Sequence, residues 1–291
     1  MHPGCPAGLT PLSGAARLAG PACWIATGTA GGFLIRLRIT GKSDVGRKRK
    51  RNEDSLFVSE ENALAIVADG MGGLSCGDKA SRMAIESLSH EILFSSPTEL
   101  LEAGEIDMLA AVGRFAQLLG DWLKKANAQL YMEAERTPDR RRMGSTIAIF
   151  YAKGPYAVMA NVGDARVYRI RGEKITQMSE DHSWVAEIAK KQGVKLNTEL
   201  IARCKNIVTR ALGVSADVQP DVQAQRLAVG DTYLLCTDGL WNMVSGSEIE
   251  NIILNHEDRL DEAVEYLIKM ANLRGGPDNI TVAVAQVHQG E

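Results

Sequence analysis

The stretch AIVADGMGG, residues 65–73, decides how this chain is read. The apolar run Ala65–Ala68 has the composition of a buried strand. It delivers a single carboxylate, Asp69, followed at once by Gly70, Met71, Gly72 and Gly73. A carboxylate at the mouth of a buried strand is costly unless something cationic neutralises it. The glycines after it allow backbone and ligand to approach closely. The same grammar recurs in NEDSLFV (52–58), LLCTDG (234–239) and GGPDNITV (275–282), which place Asp54, Asp238 and Asp278 at the ends of apolar β runs.

A single Asp in such a place is ordinarily a turn residue or a cap. Four from segments far apart in sequence are harder to dismiss. If those strand ends converge, four carboxylates repel one another unless cations lie between them. All-oxygen ligation selects hard ions, magnesium or manganese, over zinc. Two such ions about 3.5–4 Å apart are the usual device for activating water against a phosphate ester. Arg49 supplies the complement, since a guanidinium can hold a phosphate through two parallel hydrogen bonds that Lys cannot imitate.

Composition narrows the field. The chain has 291 residues, 45% hydrophobic and 24% charged, with net charge −3, which suits one large soluble domain or at most two small ones and leaves no global nucleic-acid footprint. Its five cysteines, Cys5, Cys23, Cys76, Cys204 and Cys236, are odd in number and never spaced CxxC. They argue against a disulfide framework and a zinc site, and for a reducing compartment. No apolar run is long enough to span a bilayer. The histidines form no HExxH pair, no serine lies in a GxSxG elbow, and no GK[ST] follows the 70–73 glycines. His182 reads as a structural histidine, and Asp164 as a turn residue paired with Arg166.

Residues 1–32 are rich in Gly, Ala, Pro and Thr, with Arg17 their one basic residue and prolines breaking the apolar run, so they do not read as a secretory signal. A disordered extension or a start site placed too far upstream are the two accounts of it. FLIRLRI (33–39) alternates as a half-exposed strand. Residues 77–94 carry Ala80, Met83, Ala84, Leu88, Ile92 and Leu93 on one helical face, and a longer helix fits 105–135. Short β-rich runs between 144 and 177 suggest an antiparallel meander. An excursion from Asp181 to about Thr209 opens with a helix over 184–192. Helices over 247–254 and 260–273 precede the last strand. Strands and helices are segregated, so the expected fold is α+β, with packed antiparallel sheets and flanking helices.

These residues, in this order, resemble the metal-dependent serine/threonine protein phosphatases of type 2C, the PPM family, in their bacterial form. The resemblance runs from about Ser43 to Val287 through RKRNED, VADGMGG, MGST, NVGDARVY, EDHS, VTRALG, LLCTDGLW and GGPDNITV. It implies a four-layer sandwich of two antiparallel sheets flanked by helices, forming a single catalytic domain over 33–291 with a flap at about 183–205. It implies that Asp54, Asp69, Asp238 and Asp278 ligate two Mn2+ or Mg2+ ions directly or through water, with the backbone carbonyl of Gly70. Glu53 would orient metal-bound water and Arg49 would bind the substrate phosphate. A metal-activated water would attack phosphorus in one step, without a phosphoenzyme.

Three departures qualify the resemblance. Met71 replaces the His that eukaryotic members use as a proposed general acid. Asn242 stands four residues after Asp238, where some members carry Asp. No acidic residue lies close before the MGST block; Arg141 and Asp139 occupy that region. A third ion therefore has no support. The run DGMGGLSCGD (69–78) is similar to phosphatases encoded with type VI secretion systems, whose partners are threonine kinases. The expected partners are phosphorylated proteins and a cognate Ser/Thr kinase, with no nucleic acid or membrane, for a cytoplasmic monomer. A phosphoprotein-binding scaffold without turnover, and a phosphodiesterase or nuclease using the basic run 47–51, are the competing readings.

Overall fold

Apolar runs such as Leu64–Ala68 carry no polar alternation because both of their faces are covered. Leu64, Ile66 and Ala68 pack into one core cluster, while Ala65 and Val67 pack into another. The alternation of period two survives as a choice between two cores, not between core and water. The computed structural model describes residues 24–25, 35–72, 76–94, 105–136, 143–190, 201, 203–204 and 207–290.

The strands in chain order are β1 (Trp24–Ile25), β2 (Ile35–Asp44), β3 (Asp54–Ser59), β4 (Leu64–Met71), β5 (Gly144–Ser145), β6 (Ile147–Lys153), β7 (Tyr156–Val162), β8 (Arg166–Ile170), β9 (Ile175–Gln177), β10 (Asp221–Arg226), β11 (Thr232–Cys236) and β12 (Ile280–Gln289). The helices are α1 (Gly77–Phe94), α2 (Glu105–Arg136), α3 (Trp184–Lys190), α4 (Asp238–Trp241), α5 (Gly246–Leu254) and α6 (Leu260–Leu273). One sheet has the order β1-β2-β12-β11-β8-β9 and the other β10-β7-β6-β4-β3, with β5 paired to β4. All of these pairings are antiparallel.

Three core clusters fill three interlayer spaces. The first lies between α1, α2 and the outer face of the β4–β6–β7 sheet, with Ala80, Ala84, Leu88, Phe115, Leu119 and Leu123 from the helices. The second lies between the sheets and takes Phe150, Tyr233, Ala283 and Ala285. The third lies under α4, α5 and α6. This is the expected α+β sandwich in four layers. No helix among the described residues is long and apolar enough to cross a membrane.

Some expectations shift in detail. The meander expected over 144–177 is split: β6 and β7 form a hairpin in one sheet, while β8 and β9 belong to the other. The chain changes sheets at Gly163, whose φ of +102° is a backbone region that side chains rarely adopt. The first strand runs to Asp44, beyond the apolar FLIRLRI core, because β12 pairs with it along its whole length, from Ile280↔Asp44 to Gln289↔Ile35. Of the segment 1–32 only Trp24–Ile25 lies among the described residues, paired with Ile35 and Arg36. The excursion's helix is described to Lys190, and 191–200, 202 and 205–206 lie outside the described residues.

Candidate metal centre

The four carboxylates come from strand ends at one end of the sandwich. Asp54 opens β3 and is the direct register partner of Asp69, near the end of β4. Asp238 follows β11 as the first residue of α4, and Asp278 stands two residues before β12. Because β11 and β12 are neighbours, Cys236 pairing with Val282, their adjoining ends bring Asp238 and Asp278 to the same edge. Asp54 and Asp238 are buried, while Asp69 and Asp278 are half-buried.

Local hydrogen bonds fix these side chains. Thr237 Oγ1 and Thr281 Oγ1 donate to Asp54 Oδ2 at 2.8 and 2.6 Å. Asn242 Nδ2 donates to Asp238 Oδ2 at 3.2 Å. Arg49 Nη2 donates to Asp278 Oδ2 at 2.8 Å, and its Nη1 lies 3.8 Å from Glu53 Oε2. Among the described residues no group of three or more His, Cys, Asp or Glu side chains is set to hold an ion as it stands. Asp54, Asp238 and Asp278 are turned instead onto the donors just named.

Their electrostatics nevertheless tie them together. Burial raises Asp54 from 3.8 to about 7, against the hydrogen bonds from Thr281 and Thr237, with Asp238 and Asp278 adding repulsion. Withdrawal from water pushes Asp69 well above its ordinary value, and Asp54, Asp238, Asp164 and Asp278 all push it further. The repulsion on Asp54 and Asp69 is relieved by a cation among the carboxylates. The donor set is all oxygen, with the Gly70 carbonyl beside Asp69, and it fits a hard divalent ion.

Glycine makes the crowding possible. A Cβ on Gly70 would run into the Gly77 carbonyl and meet the Glu53 carbonyl oxygen at 2.6 Å. One on Gly77 would meet the Gly70 oxygen at 2.6 Å. The end of β4 and the start of α1 thus touch backbone to backbone. That approach brings the Gly77 N–H to the Glu53 carboxylate, whose pKa is raised by burial and held back chiefly by Arg49.

Sequence reasoning missed the residues that brace this end. Asn279 receives the Glu53 N–H on Oδ1 at 2.8 Å and donates through Nδ2 to the carbonyls of Val45 and Arg51, both at 2.9 Å. It closes the loop that carries Arg49. Thr237 and Thr281 brace Asp54. Their signal was a hydroxyl in an otherwise apolar strand context, CTDG and NITV.

The pairing of Asp164 with Arg166 is corrected. Arg166 forms a two-pronged ion pair with Asp181, Nε to Oδ1 at 2.9 Å and Nη2 to Oδ2 at 2.6 Å. It also lies 3.7 Å over the Trp241 ring. Asp164 is buried, raised to about 6 chiefly by that burial, and stands within electrostatic reach of Asp69. The reason is directional: after the sheet change at Gly163, Arg166 opens β8 and extends toward the incoming 178–182 segment. His182 is structural as expected; it is wholly buried, its Nδ1 accepts the Gly163 N–H at 3.1 Å, and its Nε2 lies 3.1 Å from an Asp221 oxygen. Met71 faces Gly144 across β4 and β5. Leu74, Asp139 and Arg141 lie outside the described residues.

Known proteins share both sequence and fold with this chain. Residues 41–278 match the family described as protein phosphatase 2C. The chain is 37% identical over 252 residues to the serine/threonine phosphatase stp of Listeria welshimeri, covering 84% of this chain and 94% of that protein. Among solved structures it is similar to the catalytic domain of the serine threonine protein phosphatase PstP in complex with 2 manganese ions, with 31% identity, a TM-score of 0.72, and 88% and 100% of the two chains covered. It is also similar to PppA, a regulatory component of the type VI secretion system in Pseudomonas aeruginosa, with 31% identity, a TM-score of 0.69, and 86% and 97% covered. A match over most of the chain, carried on the same fold, means that this chain belongs to the protein phosphatase 2C family.

Proposed function

We propose that this chain is a metal-dependent protein serine/threonine phosphatase that hydrolyses phosphoserine and phosphothreonine in proteins and reverses a cognate kinase. The observation that carries the reading is the meeting of Arg49 with Asp278, at 2.8 Å, on the edge of a cluster of mutually repelling carboxylates. A phosphate-binding cation thereby borders the acidic cluster that a pair of divalent ions would neutralise. Two Mn2+ or Mg2+ ions would be held by Asp54, Asp69, Asp238 and Asp278 with the Gly70 carbonyl, and the manganese-bound relative supports that number. When bound, such ions lower the pKa of water and stabilise charge on the phosphoryl oxygens.

The chain's own residues set up the rest. Arg49 presents two N–H groups, and a phosphoryl group can displace the Asp278 oxygen as their acceptor. Glu53, held by Arg49 and the Gly77 N–H, orients the attacking water. Met71 has no proton to give, so the leaving alkoxide takes its proton from solvent or another group. A second reading has no observation in its favour, since none of the expected carboxylates is missing.

Residues 33–291 form the catalytic domain, and 183–205 its flap, in this proposal. The thiols of Cys76, Cys204 and Cys236, in no disulfide among the described residues, support a reducing, cytoplasmic setting. The likeness to PppA supports a regulatory role in a type VI secretion system. The test is hydrolysis of a phosphothreonine peptide by purified protein with Mn2+, with and without chelator, alongside calorimetric titration of Mn2+. Turnover that stops with chelator is expected. Intact binding of two ions with no turnover of any phosphopeptide would sink the proposal.

A further inference from the structure

The phosphatase reading uses one of five consecutive basic residues, Arg47–Arg51. Arg49 is engaged by the carboxylate cluster. Arg47, Lys48 and Lys50 are exposed, and among the described residues none of the three has an acidic partner. In a chain of net charge −3 this local excess is not a reflection of overall composition.

The loop that carries them is pinned. Arg47 N and Lys48 N both donate to the Gly276 carbonyl, at 2.8 and 3.2 Å. Asn279 Nδ2 reaches the carbonyls of Val45 and Arg51 on either side, both at 2.9 Å. Gly46 turns the chain with φ +79° and donates its N–H to Asp44 Oδ1 at 2.8 Å. The charges are therefore mounted on a fixed backbone. Lys48 and Lys50 are each one residue from Arg49, and Arg47 two, at about 3.5 Å of chain per residue. A phosphate held by Arg49 places the residues on either side of it within about one Debye length of these cations.

We infer that Arg47, Lys48 and Lys50 make this site selective for phosphopeptides whose phosphorylated residue is flanked by Asp or Glu. The inference rests on the phosphatase function proposed above and adds a substrate class to it. An acidic peptide fits better than a polynucleotide. Three exposed cations within residues 47–50 are a short track for a continuous polyanion, but they match the few carboxylates that flank one phosphorylated residue.

The experiment uses the full chain with Mn2+ and three substrates: a phosphothreonine peptide flanked by Asp and Glu, its counterpart flanked by Lys and Arg, and p-nitrophenyl phosphate. At low salt the acidic peptide should exceed the basic one about tenfold in kcat/KM, the lower end of electrostatic steering. The combined variant Arg47→Ser, Lys48→Ser, Lys50→Ser should bring that ratio close to one while p-nitrophenyl phosphate turnover stays unchanged. For the unaltered protein, raising the salt to about 0.5 M should also shrink the ratio, which tests the idea without relying on a variant that folds. Equal use of both peptides with p-nitrophenyl phosphate hydrolysed overturns the selectivity and leaves the phosphatase intact. No turnover of any of the three overturns both. A peptide ratio untouched by the variant, beside loss of salt-sensitive duplex DNA retention, overturns it in favour of nucleic acid.

Discussion

Asp54 and Asp69 stand directly opposite each other across β3 and β4, two carboxylates in one register pair at a sheet end. Like charges directly opposite on paired strands are destabilising. Here the pair is joined by Asp238 and Asp278, and Arg49 stands beside them as a fixed cation. The fold has therefore placed a liability where function requires charge.

That liability has a pH signature in the metal-free protein. Burial raises Asp54 from 3.8 to about 7, so the folded state holds a proton that the unfolded chain has released. The stability this proton confers is complete below the unfolded value and is lost as pH rises through the folded one. Thermal unfolding in chelator should show Tm falling between about pH 4 and pH 7 from this group, the window set by those two values. Added Mn2+ should raise Tm more at pH 7.5 than at pH 5, because ions bind the ionised carboxylates. Asp69→Asn should raise the metal-free Tm at neutral pH and reduce the Mn2+ shift. A Tm that is flat across the window, with no pH dependence of the Mn2+ shift, would contradict the account.

Arg49 predicts a kinetic result. Its fork meets Asp278 with one nitrogen and approaches Glu53 with the other, so the guanidinium plane is set before substrate arrives. Arg49→Lys keeps the charge and loses the second donor. Charge-assisted hydrogen bonds contribute about 1.5–3 kcal/mol, so kcat/KM for a phosphopeptide should fall about 10- to 100-fold in the Lys variant. Mn2+ affinity by calorimetry should change little. Wild-type kinetics in Arg49→Lys would mean the phosphate binds elsewhere.

Much of this site was legible because its chemistry is carried by unusual residues in unusual places. A lone Asp after four apolar residues at 65–68, and another before Gly239, advertise themselves in any reading of the chain. The unbroken apolar run marked β4 as a buried strand, and the four-layer order came with the family resemblance; Ala65 and Val67 do face a second core while Leu64 and Ile66 face the first. What stayed hidden depends on direction. Nothing in NVGDARVY tells that Arg166 forks onto Asp181, because that follows from the sheet change at Gly163. Nor does PDN reveal that Asn279 ties Val45, Arg51 and Glu53 together, since those partners are more than 220 residues away.

Gly70 tests whether close backbone approach, and not mere flexibility, is the reason for glycine after Asp69. Its φ is not positive, so strain in the backbone is not the issue. A methyl there would overlap the Gly77 and Glu53 carbonyls, neither of which can swing aside. Gly70→Ala should cost at least about 2 kcal/mol, as overpacking does, and lower Tm by about 4–8 °C. Gly113→Ala is the control: it lies on α2 with nothing within 4 Å of the new carbon, and should be neutral or stabilising by up to about 1 kcal/mol. Equal effects at the two positions would remove the argument from contact.

A chain of contacts runs from the entry of the proposed flap to the acidic cluster. Arg166 grips Asp181, donates to the Tyr168 hydroxyl at 2.8 Å and lies over Trp241. Trp241 Nε1 donates to the Asp164 carbonyl at 3.0 Å. Trp241 ends the short helix that begins with Asp238, and Asp181 stands two residues before the proposed flap. One ion pair thus ties the flap's entry to a carboxylate of the cluster. Both partners are largely buried, with side-chain exposures of 19% and 13%. Asp181→Asn leaves a buried guanidinium without its counter-charge and should destabilise the fold by about 3 kcal/mol or more. Arg166→Leu with Asp181→Leu should recover much of that loss, since a hydrophobic pair removes the stranded charge. In protein that remains folded, Asp181→Asn should raise KM for a phosphopeptide more than for p-nitrophenyl phosphate, the result expected of the proposed flap if it contacts the larger substrate. Additive losses in the double variant, or equal KM changes for both substrates, would show that the pair does not couple flap to site.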